Sequence, residues 1–469
     1  MIHIEISDSP EEQLADTNAW DRLAGGIPFR QTVWLHSWWQ QFGDSERAFF
    51  LVARDESGNC RGLLPLERTD GDLRRLQTLA AGNVCTDHVS ILAQPEDREE
   101  VATAFAKFLI ECSSDRTHGW DQIDFDGTIA GDPAMEIFSR YLETADVPTC
   151  IRSRMHLWFN RCEATWEDLL LTRSRKYRNR VRGLLRKLDE SDGELFVRDA
   201  GSPEEVQMGL MKLIELHQKR WQDVGEPGTY ADDRMVRFVT DATIEMSNRG
   251  RLVLPQLVYK GEVIATELHY IGDDGRQYCY STGVNHAYPD LKPGIMLNSH
   301  MFREAHRLGR AGIDYMRGDE TYKGRLHSRP TPLLEISIFA KHARGQVRMA
   351  QDRATQLLKV QWRRMKDLPQ DQPLTIDEAF AEEHRAFLPE QSVAEETVDE
   401  TRSVLAMVPE TIPSAVGVET NSAESFSSET VLAEAAVEDE SESVEPAMIF
   451  SIRDYQRSDA FSRDPKPSN

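Results

Sequence analysis

The chain has 469 residues, an apolar content of 40% and a net charge of −24 at pH 7. This length predicts about two or three domains, and the acidic balance argues against a DNA-binding protein. No run approaches the ~20 consecutive apolar residues that span a bilayer, and the acidic N-terminus MIHIEISDSPEEQLAD is unlike a signal peptide. The six cysteines lack paired spacing, which favours buried thiols in a cytoplasmic protein over disulfides or a metal site.

The first half of the chain is predicted to contain a hairpin, a helix and a further strand. AFFLVARDESGNCRGLLPLERTDG alternates apolar and polar residues around a Gly58-Asn59 turn, which is typical of two antiparallel strands. VATAFAKFLIECSS then has the apolar spacing of a helix, and WDQIDFDG has the pattern of a strand. In the loop before this helix, Asp87-His88 suggests an acid–base pair, although its polar surroundings favour a structural role.

A strongly basic helix is predicted over residues 174–188. SRKYRNRVRGLLRKL places its apolar residues on one helical face and covers the remainder with arginine and lysine. In an acidic protein this concentration of positive charge favours a phosphate-bearing partner, with Lys176 and Arg180 as candidate substrate-binding residues. A solvated helix balanced by acidic neighbours explains the same pattern about as well.

The second half repeats the plan of the first. RLVLPQLVYKGEVIATELHYIGDDG is a second hairpin around Lys260-Gly261, followed by a third strand, the helix IMLNSHMFREAHRLG and the strand GIDYMRGDE. Glu267 and His269 share one face of a hairpin strand, where a carboxylate can act as a catalytic base; a half-buried strand explains them equally well. The repeated order predicts two α+β units of one design, with chance similarity of the hairpins as the alternative.

The turn before the second-half helix is a candidate binding site. A Pro-Gly pair breaks the chain, and an amphipathic helix is predicted to begin at about Ile295. The free N–H groups and dipole of a helix N-terminus favour a pyrophosphate, and Lys292 adds a positive charge. We therefore expect Lys292, Pro293, Gly294 and Ile295 to bind the phosphates of a donor, although Pro-Gly before a helix is often only a turn.

The strand after this helix ends in the polar segment RGDETYK, and such strand ends bring polar side chains together at ligand sites. Acylation of an amine requires a base for the attacking ammonium and an acid for the departing thiolate. Asp319 or Glu320 is the predicted base and Tyr322 the predicted acid. Lys323 and Arg317 are predicted to hold an anionic group of the substrate. A surface turn with internal charge pairs is the alternative for any one of them.

These motifs resemble one known family. GEVIATELHYIGDDG, YPDLKPGIML and IDYMRGDETYK are similar to the GNAT-fold acyltransferase branch that includes CelD-type cellulose-biosynthesis proteins and FemAB-like transferases. PFRQTVWLHSWWQQFGD and RGLLPLER in the first half resemble the opening segments of that branch. The resemblance extends from about residue 28 to about residue 345. It implies two fused GNAT-like domains, of which the second binds an acyl donor.

The implied activity is that of an acyltransferase, most simply an N-acetyltransferase with acetyl-CoA or another acyl-CoA as co-substrate and no permanent cofactor. Residues 291–295 replace the usual Gln/Arg-x-x-Gly-x-Gly/Ala loop of GNAT enzymes. An aminoacyl-tRNA donor, used by FemAB-like relatives, is therefore one alternative, and a non-catalytic scaffold in polysaccharide assembly is another. The acceptor, an amine or hydroxyl in polysaccharide or envelope biosynthesis or elsewhere, stays open.

The expected organisation is α+β, with GNAT-like domains over residues 1–150 and 151–345, each a mixed twisted sheet flanked by helices. A helical extension over residues 346–390 follows from the apolar spacing of GQVRMAQDRATQLLKVQWRRMKDL. Residues 391–469 are rich in Ser, Glu and Ala and carry −13 between Glu395 and Glu445, which leaves −11 for the remainder. They are predicted to be a disordered acidic tail, because they cannot bury enough apolar surface to offset chain entropy.

Overall fold

A computed structural model describes residues 2–388, except residues 8, 321, 322, 325–327, 367, 369, 386 and 387. The predicted acidic tail over residues 391–469 lies outside the described residues, as does Tyr322. Within the described part of the chain, every helix is too short or too polar to cross a bilayer.

The first half alternates strands and helices from the N-terminus onward. Its elements are β1 (His3–Ser7), α1 (Pro10–Ala15), α2 (Thr17–Leu23), α3 (Thr32–Phe42), β2 (Ala48–Arg54), β3 (Cys60–Thr69), β4 (Asp72–Thr78), β5 (Leu92–Ala93), α4 (Arg98–Cys112), β6 (Gln122–Ile129) and α5 (Pro133–Thr144). The predicted hairpin is β2–β3, and Gly58 at its turn has φ 82°, a conformation that glycine adopts without steric cost.

The second half follows the same order after a long first strand and two helices. Its elements are β7 (Thr149–Arg161), α6 (Trp166–Leu171), α7 (Arg175–Asp189), β8 (Leu195–Asp199), α8 (Pro203–Asp223), α9 (Asp233–Asn248), β9 (Leu252–Val253), β10 (Pro255–Tyr259), β11 (Glu262–Ile271), β12 (Arg276–Val284), α10 (Pro293–Arg307), β13 (Gly312–Arg317) and β14 (Arg329–Phe339). The helix Ala343–Met365, the strand Gln372–Leu374 and two short helices, Ile376–Ala379 and Glu382–Arg385, complete the described chain.

The strands form one mixed sheet flanked by helices, which is the predicted fold class. The order along the sheet is β1-β2-β3-β4-β6-β14-β7-β13-β12-β11-β10-β8. β14 lies between β6 and β7, so a strand from the end of the second half pairs with the last strand of the first half. The two halves therefore share a continuous sheet, and the boundary predicted near residue 150 falls at the start of β7.

Three apolar cores hold the helices against this sheet. One lies within the first half, under α4 and α5, and one within the second half, under α7 and α10. The third joins the halves, because Trp34 of α3 packs edge-on against Phe238 of α9 at a centroid distance of 4.6 Å and against Tyr280 of β12 at 5.0 Å. The apolar face of α7 is buried as the sequence predicts, at Val181, Leu184, Leu185 and Leu188.

Candidate functional site

The strands β12 and β13 are paired over only part of their length, and we refer to the gap between their unpaired ends as the cleft. These parallel strands are paired over three residues, from Arg276↔Gly312 to Tyr278↔Asp314, whereas β12 continues to Val284 and β13 to Arg317. Because the strands are parallel, the segments that leave them emerge at the same edge of the sheet. The helix predicted to bind a donor and the polar segment after β13 therefore begin at that edge.

The N-terminus of α10 follows β12 after a connecting segment that contains a short 3-10 helix at Pro289–Leu291. Lys292 is exposed and has φ 46°, and the helix begins at Pro293, two residues before the predicted start. Proline at the first helical position fixes φ without sacrificing a hydrogen bond. The side chain of Lys292 at the N-cap position makes no capping hydrogen bond, and the first N–H groups of a helix, here those of Gly294 and Ile295, have no intrahelical partner.

A bulge turns the chain at the end of β13. The pairing register with β7 shifts between Asp314 and Arg317, and Met316 adopts φ 57° while its N–H donates to Asp314 Oδ1 at 2.8 Å. A positive φ is strained for a long side chain, and bulges commonly redirect side chains next to active sites. Gly318, at φ 117°, then allows a turn where a Cβ atom would lie 2.7 Å from Glu320 Oε2.

The redirected chain brings Asp319 against β7. Asp319 Oδ1 accepts hydrogen bonds from His156 Nδ1 at 3.0 Å and from Trp158 Nε1 at 3.1 Å. Burial opposes ionisation of this carboxyl group, but the bonds from His156 and Trp158 outweigh it and lower the pKa of Asp319. The side chains of His156 and Asp319 are 40% and 32% exposed, so the pair is accessible to a substrate.

Sequence reasoning missed His156 and Trp158. They lie within the strand SRMHLWFN, which carries no catalytic motif. The available signal was their spacing of two residues, which places both side chains on one face of a strand. Their contacts with Asp319, which is 163 positions from His156 and 161 from Trp158, depend on the pairing of β7 with β13.

Lys323 and Glu320 stabilise the turn after β13. Lys323 is 3% exposed, and its Nζ donates to the carbonyl oxygens of Met316 at 3.3 Å and Arg317 at 2.8 Å. The same Nζ lies 3.0 Å from Glu320 Oε2. The ammonium group of Lys323 therefore binds the protein's own backbone, and its substrate-binding role stays a prediction of the sequence.

Arg317 likewise has internal partners, and these join the two halves. Its Nε lies 2.5 Å from Asp87 Oδ1, its backbone N–H donates to Asp87 Oδ2 at 2.9 Å, and its Nη1 lies 3.4 Å from Asp126. Burial opposes the charge of Arg317, but the carboxylates of Asp126 and Asp87 outweigh it and raise its pKa further. Next to this pair, His88 Nε2 lies 3.1 Å from Asp314 Oδ2, with both side chains buried.

Glu267 lies on a different part of the sheet. It is buried, and its Oε2 lies 2.8 Å from His269 Nε2. Cys279 on the neighbouring strand belongs to the core that α10 covers, which places this group beneath α10. Of these two predicted bases, Glu267 is therefore buried and Asp319 is accessible.

The basic surface of α7 is accessible. Lys176 is exposed and Arg180 half-buried, while Arg182 forms an ion pair with Glu167 at 2.5 Å. Asp189 at the end of α7 binds both terminal nitrogens of Arg303 in α10, at 2.7 and 2.9 Å. This ion pair therefore joins the basic helix α7 to α10.

Comparisons with known proteins agree with the description of the second half. Residues 175–324 match the family described as Acetyltransferase (GNAT) domain. A comparison with curated proteins finds no match.

Among solved structures, the crystal structure of FemX has a TM-score of 0.49 at 11% identity, covering 72% of this chain and 97% of that one. The C-terminal domain of a putative lysylphosphatidylglycerol synthetase from Agrobacterium fabrum has a TM-score of 0.44 at 10% identity, covering 73% of this chain and 96% of that one. A tandem GNAT protein from the clavulanic acid biosynthesis pathway has a TM-score of 0.39 at 13% identity, covering 73% and 100%. Residues 175–324, which contain the diverging strands β12 and β13 and the helix α10, therefore form a region similar to the GNAT acetyltransferase domain.

Proposed function

We propose that the chain transfers an acyl group from a thioester donor, most simply acetyl-CoA or another acyl-CoA, to an amine or hydroxyl group. The main support for this proposal is the separation of β12 from β13 after Tyr278, followed along the chain by the N-terminus of α10 at Pro293. Strand edges that no longer pair with each other can bond an extended, amide-bearing chain such as the pantetheine arm of CoA. The cleft therefore suits a long donor whose anionic end lies at α10.

The N-terminus of α10 supplies the proposed phosphate site. The N–H groups of Gly294 and Ile295 and the helix dipole favour an anion, and Lys292 adds a charge at the same point. The Cβ of any larger residue at position 294 would lie 3.2 Å from Val284 Cγ2, so glycine keeps this approach open. Donor phosphates at α10 would leave the thioester end of the molecule inside the cleft.

His156 and Asp319 form the proposed acid–base pair. Since His156 Nδ1 donates to the ionised Asp319, the Nε2 lone pair remains to accept a proton from the attacking amine. Asp319 then stabilises the imidazolium that forms. Glu320 and Glu267 remain alternative bases, but Lys323 engages Glu320 and His269 engages Glu267. The acid that protonates the leaving thiolate stays assigned to Tyr322 as a sequence prediction.

A second candidate donor is an aminoacyl-tRNA, and the surface of α7 favours it. Arg175, Lys176, Arg182, Arg186 and Lys187 are exposed along one helix of an acidic protein, an arrangement that attracts phosphate backbones. Lys176 and Arg180 keep their proposed role as phosphate-binding residues under either donor. The cytoplasmic location and the identity of the acceptor stay predictions of the sequence.

The test is thermal stabilisation of the full chain by acetyl-CoA, longer acyl-CoAs and free CoA. A ligand that binds only the folded state raises the melting temperature by mass action. Lys292→Glu is expected to weaken donor binding about tenfold, which corresponds to about 1.4 kcal/mol. Lys260→Glu is the matched control, because Lys260 is another exposed lysine at positive φ, with φ 49°, in the turn between β10 and β11.

Stabilisation by CoA compounds that Lys292→Glu weakens and Lys260→Glu leaves intact supports the acyl-CoA proposal. Retention of tRNA at low salt, lost on neutralising Lys176 and Arg180, supports the aminoacyl donor instead. Stabilisation by neither ligand overturns both assignments and favours a scaffold without chemistry of its own.

A further inference from the structure

Three potential metal ligands meet beneath α10. Glu267 and His269 of β11 and Cys279 of β12 each offer one ligand atom, and these atoms lie within 4.8 Å of one another. The three residues are 2%, 0% and 8% exposed. They form a compact cluster inside the core of the second half.

The pairing of β11 with β12 creates this cluster. Glu267 and His269 are two residues apart, so their side chains share one face of β11. A register shift between Leu268 and His269 places His269 directly opposite Cys279. The backbone hydrogen bonds between β11 and β12 therefore hold the three residues in place.

A neighbouring amide orients the histidine. Gln277 lies on the same face of β12, with its amide 3.1 Å from His269 Nδ1. The facing atom is the amide nitrogen, which donates to Nδ1, while His269 Nε2 donates to Glu267 Oε2 at 2.8 Å.

We propose that Glu267, His269 and Cys279 bind a zinc-type transition-metal ion. A carboxylate, an imidazole and a thiolate are the three donor types that zinc takes in proteins. Burying a carboxylate inside an apolar core costs free energy unless its charge is compensated, and a divalent cation provides that compensation. Three protein ligands leave one tetrahedral position for water.

Cys279 directly follows Tyr278, the last residue of β12 paired with β13. The ion would therefore link β11 to β12 next to the point where β12 and β13 separate. The sequence predicted no metal site because the ligands come from two strands without motif spacing. This inference does not depend on the nature of the acyl donor.

The first experiment measures zinc bound to the full chain by elemental mass spectrometry, after incubation with Zn²⁺ and removal of the free ion. About one equivalent per chain is expected. Cys279→Ser and His269→Gln are expected to retain below about a tenth of that amount, because each removes one of three ligands. Cys162→Ser, at the edge of the same core, and His306→Gln, on α10, are matched controls that should bind as the unmodified chain does.

A second measurement needs no variant and holds even if Cys279→Ser fails to fold. Titration of the unmodified chain with Co²⁺ should produce the near-ultraviolet charge-transfer absorption of a cobalt–thiolate bond, and Zn²⁺ should displace it. Absence of this absorption, or zinc retained in full by both ligand variants, overturns the proposal.

Discussion

The two halves of the molecule use the same backbone plan with opposite charge at the corresponding helix. β4 and β6 are parallel and paired over three residues, as β12 and β13 are. The helix between the first pair, α4, carries Glu99 and Glu100 in its first turn, whereas α10 has no acidic residue in its first turn and follows Lys292. The charge of these first turns therefore favours an anion at α10 over one at α4.

The segment that leaves β4 has a different task from the one that leaves β12. It carries Asp87 to Arg317 and His88 to Asp314, both in the second half. In turn, β14 of the second half pairs with β6 of the first half. The first half thus supports the second through these contacts, so the two halves differ in role although they share a backbone plan.

The largest effect is expected from the proposed acid–base pair. His156→Gln and Asp319→Asn should each lower kcat by roughly 10²–10⁴-fold, because each removes a positioned proton-transfer group or its orienting partner. Donor thiol release measures the rate, and thermal stabilisation by the donor should persist.

The first half supplies the control. His118 and Asp115 form a similar exposed pair there, at 3.7 Å, so His118→Gln should leave kcat unchanged. Equal rates for His156→Gln and the unmodified chain would remove the pair from the mechanism.

A smaller but substantial effect is expected where the halves join. Asp87→Ala should lower the free energy of unfolding by about 3–5 kcal/mol, because it leaves Arg317, whose side chain is 12% exposed, without its nearest carboxylate. Urea unfolding measures the change. Glu111→Ala, which breaks an exposed pair with Lys107, should cost about 0–1 kcal/mol. Similar values for the two variants would show that the joint between the halves is no stronger than a surface contact.

The pH dependence of stability should distinguish Asp319 from an ordinary surface carboxylate. Its pKa is lowered in the folded state, so its ionised form contributes stability above its unfolded pKa of about 4. That contribution is lost as the pH falls through the folded pKa. The stability difference between the unmodified chain and Asp319→Asn should therefore shrink below pH ~4, as followed by urea unfolding at several pH values. A constant difference across this range would contradict the lowered pKa.

The smallest effect is expected from reversing the charge of α4. Glu99→Lys combined with Glu100→Lys gives α4 a basic first turn, yet acyl-CoA affinity should stay within about twofold of the unmodified chain. The reason is that the segment after β4, which carries Asp87 and His88, is already packed into the second half. Calorimetric titration measures the affinity. A new donor site in this variant would show that charge alone separates the halves.

The sequence by itself determined the local elements. Both hairpins follow from alternating strands and from Gly58 and Lys260-Gly261 in their turns, and α7 follows from its apolar face. The sequence also predicted the polar end of β13 and, to within two residues, the start of α10 at Pro293. These features depend on residue periodicity and turn chemistry within about twenty positions, which a single sequence displays directly.

Tertiary structure alone decided which residues meet. The insertion of β14 between β6 and β7, the contact of His156 with Asp319 and the cluster around Cys279 each depend on strand pairing and register. Pairing order brings together residues more than 150 positions apart, and a register shift of one residue turns every side chain to the opposite face. For this reason the sequence predicted Asp319 at the strand end, whereas only the assembled sheet supplied its partner.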